Sequence, residues 1–321
     1  VKLQGKNVLI TGGAGFIGSH LVDRVICEDP KNVVVVDNFF LGCEENLAEA
    51  RAAFPELKVC RLDASDLAAM RDLAKSEEIN IVFNLAVIPL PTSIAYPVWT
   101  IHTNIGVATT FCELARWGVI ETLVHCSSSE AYGSAASVPM DEGHPLLATT
   151  PYAASKAAAD QIVLSYCRTF DIDAVIVRPF NNFGPRQNFG SYAGIIPIVI
   201  RRVQNGDPVE IFDDGEQTRD YIFVGKTADA FVRVYEERAT RDQAINIATG
   251  HEISINELVS RLLNVMGVPD YPVVYKPRRP GDVRRHRGDV SLASKLIDFK
   301  GSPISDEELV ETVRWYLGRM E

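Results

Sequence analysis

Tyr152-Ala-Ala-Ser-Lys156 places a phenol and an ammonium four residues apart, on one face of a helix. A phenol with a pKa of about 10 is a poor base at neutral pH. A neighbouring cation favours the phenolate. A tyrosinate so formed can take a hydroxyl proton while hydride leaves the same carbon. By itself the spacing is also that of ordinary helix surface. A second cluster is Ser127-Ser128-Ser129-Glu130-Ala131-Tyr132-Gly133, just after the apolar run Thr122-Leu-Val-His-Cys126. A serine there can hydrogen-bond a reacting oxygen and a carboxylate can do acid–base work, or the segment is a polar loop cap.

Hydride needs an acceptor, and the N-terminal segment supplies the place for one. Thr11-Gly12-Gly13-Ala14-Gly15-Phe16-Ile17-Gly18 follows the apolar run 7–11 and opens a helical pattern. Glycines three apart let backbone approach a pyrophosphate, and the helix N-terminus faces it with partial positive charge. The spacing is GxxGxxG, a departure from the common GxGxxG. Asp37 ends the run Val33–Asp37, where an acid accepts the ribose hydroxyls of NAD and repels the 2′-phosphate of NADP. Asp63 also ends a strand, to touch adenine or to face solvent. The adjoining Asn38 and Ala64, with Leu85 and Ala86 at the end of the run 79–86, complete the expected NAD contacts.

These residues need a parallel sheet to hold them. Apolar runs at 7–11, 33–37, 59–63, 79–86, 122–128 and 173–179 alternate with amphipathic patterns near 66–76, 99–116 and 151–169. Continuous apolar strands between helices predict a sheet covered on both faces. After Pro179 the strands shorten and glycine and proline rise. The expectation is an α/β fold: a Rossmann-type, doubly wound parallel sheet with a smaller C-terminal substrate-binding lobe. The NAD domain is placed at 1–178 plus about 218–245, the lobe at about 179–217 plus 246–321.

Composition narrows the class. The 321 residues are 46% hydrophobic and 23% charged, ordinary for a globular protein. No apolar run reaches the length of a membrane span, and the start leaves no room for a signal peptide. A net charge of −10 argues against general nucleic-acid binding. Six scattered cysteines, without CxxC or partnering histidines, predict free thiols, no metal site and a reducing, cytoplasmic setting.

TGGAGFIGSH, Asp37, NLA at 84–86, SSSEAYG, YAASK, RPFNNFGPRQ, QTRDY and RRPGDVRR occur in order along nearly the whole chain. Together they resemble the extended short-chain dehydrogenase/reductases that act on nucleotide sugars with NAD. The resemblance implies a catalytic set of Ser128, Tyr152 and Lys156, with Ser129 and Glu130 beside it. On the substrate side it implies Asn181 near the diphosphate and Ile195 in the pocket. Arg219, Arg279 and Asp282 are implied at the phosphates and ribose, and Phe212 against the base or in the lobe core. Arginine forks suit phosphate oxygens. Six Lys/Arg between 276 and 287 form either an anion funnel or a solvated face. The helices near 99–116 and 151–169 resemble those that pair family members into homodimers, although their apolar stripes equally suit core.

Within that family C4 oxidation leads to epimerisation, dehydration or decarboxylation. Glu130 bears on the choice. Many 4-epimerases have a small or neutral residue there, 4,6-dehydratases often an Asp-Glu pair, and UDP-glucuronate decarboxylases also Ser-Glu. Asp220, beside Arg219, reads as unwelcoming to a sugar carboxylate. With AVIPLPTS at 86–93, the whole pattern is similar to the branch of UDP-N-acetylglucosamine 5,6-dehydratases of tunicamycin biosynthesis. That implies C4 oxidation, loss of water across C5–C6 and C4 re-reduction on a UDP-sugar. The alternatives are a UDP-hexose 4-epimerase and, behind it, a UDP-glucuronate decarboxylase. A non-catalytic NAD-sensing protein is disfavoured because the Tyr and Lys are both present.

Overall fold

The computed structural model describes residues 1–188, 194–278 and 283–318. Its strands are β1 (Asn7–Thr11), β2 (Asn32–Asp37), β3 (Lys58–Arg61), β4 (Ile81–Asn84), β5 (Thr122–Cys126), β6 (Ala174–Pro179), β7 (Asn181–Phe183), β8 (Val209–Phe212), β9 (Thr218–Arg219), β10 (Tyr221–Phe223), β11 (Ala244–Ile247), β12 (Ile253–Ser254) and β13 (Val273–Lys276). The α-helices are α1 (Phe16–Ile26), α2 (Ala48–Ala53), α3 (Leu67–Ser76), α4 (Leu90–Ala95), α5 (Pro97–Arg116), α6 (Pro151–Phe170), α7 (Ile195–Asn205), α8 (Val224–Glu236), α9 (Ile255–Val265), α10 (Ser291–Ile297) and α11 (Asp306–Gly318).

Seven strands form one parallel sheet in the order β11-β6-β5-β4-β1-β2-β3. Side chains alternate along each strand. Val8 and Ile10 of β1 pack under α1 and α8, while Leu9 packs under the helices on the other face with Phe111 and Val163. Because both faces are covered, the strands read as unbroken apolar runs. Each such valine or leucine contributes roughly 1.5–3 kcal/mol by leaving water.

The chain winds one way from β1 to β3 and the other from β4 to β11, so β1 and β4 meet at a switch point. Ligands bind beyond the strand ends there. The join is stitched by Thr11, whose Oγ1 donates to Asn84 Oδ1 at 2.7 Å and accepts from the amides of Leu85 and Ala86 at 3.2 Å.

The lobe is built on small two-stranded sheets, β13 with β8, β12 with β9, around α7, α9 and α11. Its core holds Ile200, Ile211, Leu258, Leu262, Val313 and Tyr316. Two boundaries differ from the sequence reading. The last sheet strand runs on to Ile247, and Ala293, Ile297 and Phe299 belong to the core of the NAD domain. The segment around α10 therefore returns to the sheet, because its apolar face completes the layer of α8 instead of the lobe.

Candidate active site

A cavity of about 860 Å³ lies across the strand ends and continues into the lobe. At its sheet end are Gly12, Gly15, Phe16, Ile17 and Gly18, then Asp37, Asn38, Asp63, Ala64, Leu85 and Ala86. Gly12 has a φ of +66°, and a Cβ on it would meet the Leu85 carbonyl at 2.9 Å. A Cβ on Gly18 would stand 2.1 Å from the Gly12 oxygen, so that glycine lets α1 pack on its own loop. Gly15 precedes the helix with no side-chain cap, which leaves the first amides of α1 for an anion. Asp37 is held by the amides of Ala14 (3.0 Å) and Phe39 (2.8 Å), and burial raises its pKa. A close-approach loop, an uncapped helix and a fixed carboxylate fit a dinucleotide.

The reacting end lies between β5 and α6. Pro151 opens α6 and the Thr150 side chain accepts from the Ala153 amide at 3.1 Å, a cap that sets Tyr152 in the first turn. One turn later Lys156 points Nζ at the Cys126 carbonyl, 2.6 Å away. Ser128, Glu130, Tyr152, and Lys156 share the cavity wall. Tyr152 bonds the Ser128 hydroxyl, which favours its phenolate, but burial outweighs this and holds its pKa above the ordinary value. Burial also lowers that of Lys156. The first turns of α6 are braced from α5: Asn104 holds both backbone groups of Ile88, at 2.8 and 3.1 Å, and donates to Ser155 at 2.9 Å.

On the lobe side Asn181, Ile195, Phe212 and Arg219 line the cavity. The Arg219 guanidinium also donates to the carbonyls of Thr218 and Val283, both at 2.8 Å. Arg279 and Asp282 lie outside the described residues. Ser129 is buried and is not among the lining residues.

Asp220 does not face the cavity. It is fully buried and accepts from Thr249, Gly250 and Gly288, so its charge is no bar to a sugar carboxylate. Much of the basic run is engaged as well: Arg284 pairs with Asp214, Arg285 with Glu252, and Lys276 with Glu210.

The match to known proteins follows the same architecture. The profile of the NAD dependent epimerase/dehydratase family fits residues 8–248. The chain belongs to that family. It is 34% identical to the UDP-glucose 4-epimerase of Mycolicibacterium smegmatis, over 98% of this chain and 99% of that one. It superposes on the UDP-N-acetylglucosamine 4-epimerase of Methanobrevibacter ruminantium, solved with UDP-N-acetylmuramic acid, with a TM-score of 0.91 and 34% identity, covering 99% and 100% of the two chains. The dTDP-glucose 4,6-dehydratase DesIV of Streptomyces venezuelae, solved with NAD, gives 0.90 and 28%, covering 97% of each. NAD is thus the cofactor, and the enzyme is one of the NAD-dependent sugar-nucleotide epimerases and dehydratases.

Several lining residues of this family member escaped the sequence reading: Phe40, Pro89, Leu90, Arg201, Gln217 and Tyr221. Pro89 and Leu90 follow a strand end at the switch point, a position that could have marked them. Arg201 lies mid-helix, where no local signal separates a pocket arginine from a surface one. Among the described residues no helix is long and apolar enough to cross a membrane, and the six cysteines are free.

Proposed function

We propose that the enzyme is a dehydratase of UDP-N-acetylglucosamine that forms a 5,6-ene sugar nucleotide, as in the tunicamycin branch. The observation that carries this reading is Glu130, a carboxylate on the cavity wall beside Ser128 and Tyr152. Epimerisation at C4 leaves such a group without work, whereas elimination across C5–C6 needs one.

Bound along Gly12, Gly15, Gly18 and Asp37, NAD would supply the hydride acceptor, and on re-reduction the hydride donor, for C4. Tyr152 accepts the C4 hydroxyl proton as that bond to hydrogen breaks, and gives a proton back on re-reduction. Ser128 steadies the C4 oxygen. Lys156 supplies positive charge toward the phenol and binds the NAD ribose. The C4 ketone acidifies C5–H; Glu130 removes that proton and passes it to the C6 oxygen as the C6–O bond breaks, so that water leaves, with Ser129 supporting the turn from behind. The balance is substrate to 5,6-ene plus water, with no net redox change. Asn181 and Arg219 hold the diphosphate and ribose, Ile195 and Phe212 the nucleoside. The wall from Val87 to Pro91 is uncharged, which suits a neutral hexosamine better than a uronate. Two copies pair through α5 and α6, a reading supported by the exposed Val98 of α5 and Phe170 of α6.

Likeness to 4-epimerases favours a second reading, UDP-hexose 4-epimerisation. Proton NMR of the enzyme with UDP-N-acetylglucosamine in D₂O separates the two. Vinylic signals are expected for dehydration; conversion to the galacto isomer without them would overturn it. With no change, UDP-glucuronate and a CO₂ assay test the decarboxylase. Glu130→Gln is expected to slow elimination roughly 10²–10⁴-fold; elimination at the unmodified rate removes Glu130 from the mechanism.

A further inference from the structure

Lys156 is only 4% exposed, and its one described hydrogen bond goes to a neutral carbonyl. An ammonium so placed is drawn toward its neutral form unless a counter-charge is near. One turn further along the same helix face stands Asp160, fully buried. Its Oδ2 accepts from Arg178 Nε at 2.8 Å. Arg178, itself 3% exposed, donates to the Tyr132 hydroxyl at 2.9 Å, and Tyr132 donates to Asn246 Oδ1 at 2.7 Å. The arginine lies over the Tyr132 ring, 4.9 Å from its centre.

We propose that Asp160 is a positioning residue, the counter-ion that keeps Lys156 charged, and that Arg178, locked by Tyr132 and Asn246, fixes that carboxylate in place. The inference rests on the reading of Tyr152 and Lys156 as the acid–base pair.

The groups that face Lys156 leave this role to Asp160. From β5 come His125 and Cys126, and from its own helix Asp160, which Arg178 of β6 holds. Burial holds His125 neutral and pushes the Cys126 thiol up to about 11. Burial lowers the proton affinity of Lys156, and Cys126 and then Asp160 act against it; with the Cys126 thiol neutral, Asp160 is the carboxylate left to do so, while Glu130 bears on Tyr152. Lys156, Arg178 and Asp160 together carry one net positive charge, which ionisation of Tyr152 neutralises. The buried cluster is thus balanced in the state that takes the proton.

The test is the pH profile of turnover on UDP-N-acetylglucosamine and UDP-glucose with the NAD-loaded enzyme. In Asp160→Asn the alkaline limb should move to lower pH, so that the rate at high pH relative to neutral falls about tenfold or more. Asp160→Glu should restore it. Asp160→Asn strands a buried arginine and could unfold. Asp160→Leu/Arg178→Met removes the pair together, an exchange that proteins often tolerate, and should move the limb in the same direction. A limb that stays in place in folded, NAD-containing variants overturns the proposal. Turnover surviving in Tyr152→Phe overturns instead the acid–base reading beneath it.

Discussion

The two ends of the cavity are made differently. At the sheet end the walls are strand termini and a glycine loop, locked by a seven-stranded sheet and by backbone contacts such as Thr11 to Leu85 and Ala86. At the lobe end they come from two-residue and four-residue strands paired in twos, and from side chains whose charges are shared with neighbours. The first end is rigid and specified by backbone shape; the second is specified by side chains on separate segments.

The largest expected effect lies where the ends meet. Tyr152→Phe should cost roughly 10²–10⁴-fold in turnover while bound NAD, measured after release from the protein, stays stoichiometric. Loss of NAD with the hydroxyl would show that the reacting residues are not separable from the rigid end. Next comes the sheet end itself. Gly18→Ala puts a methyl against the Gly12 carbonyl, and overpacking of that kind costs about 1–3 kcal/mol. Thermal unfolding should drop and NAD retention fall together. Unchanged values would mean that the loop is softer than the contrast requires.

That contrast also explains what could be read from the sequence. A strand buried on both faces is a continuous apolar run, so β1, β2, β4, β5 and β6 were visible, and the residues at their ends could be named from order alone. Asp37, at the end of β2, is such a case. The lobe offers no such rule. Asp220 looked like a substrate neighbour because it follows Arg219, yet alternation along an extended segment turns it inward to Thr249 and Gly288. The segment around α10 looked like lobe because it follows the lobe in sequence, and only packing returns Ala293 and Ile297 to the sheet. Asp160 carried no motif; its importance comes from the burial of Lys156 and Arg178 around it.

A smaller effect is expected from Arg219→Lys. Lysine keeps the charge but loses the planar guanidinium, whose Nη1 holds both the 218 and 283 carbonyls while the group lines the cavity. KM for the nucleotide sugar should rise about tenfold with kcat little changed, the mark of binding lost equally in ground and transition states. A fall in kcat alone would place the arginine at the reacting centre and blur the division between the ends.

The smallest effect separates a funnel from a solvated face. Arg284 is exposed and already bound to Asp214 at 2.7 Å, so its charge is largely answered before any substrate arrives. Exposed pairs contribute little and salt screens them. Arg284→Ala should therefore change kcat/KM by less than about twofold at physiological salt, and its salt dependence should match the parent enzyme. A several-fold loss that grows as salt is lowered would restore the funnel, because only a field reaching beyond the Asp214 pair behaves that way. The substrate would then be steered by the lobe surface before any side chain of the cavity touches it.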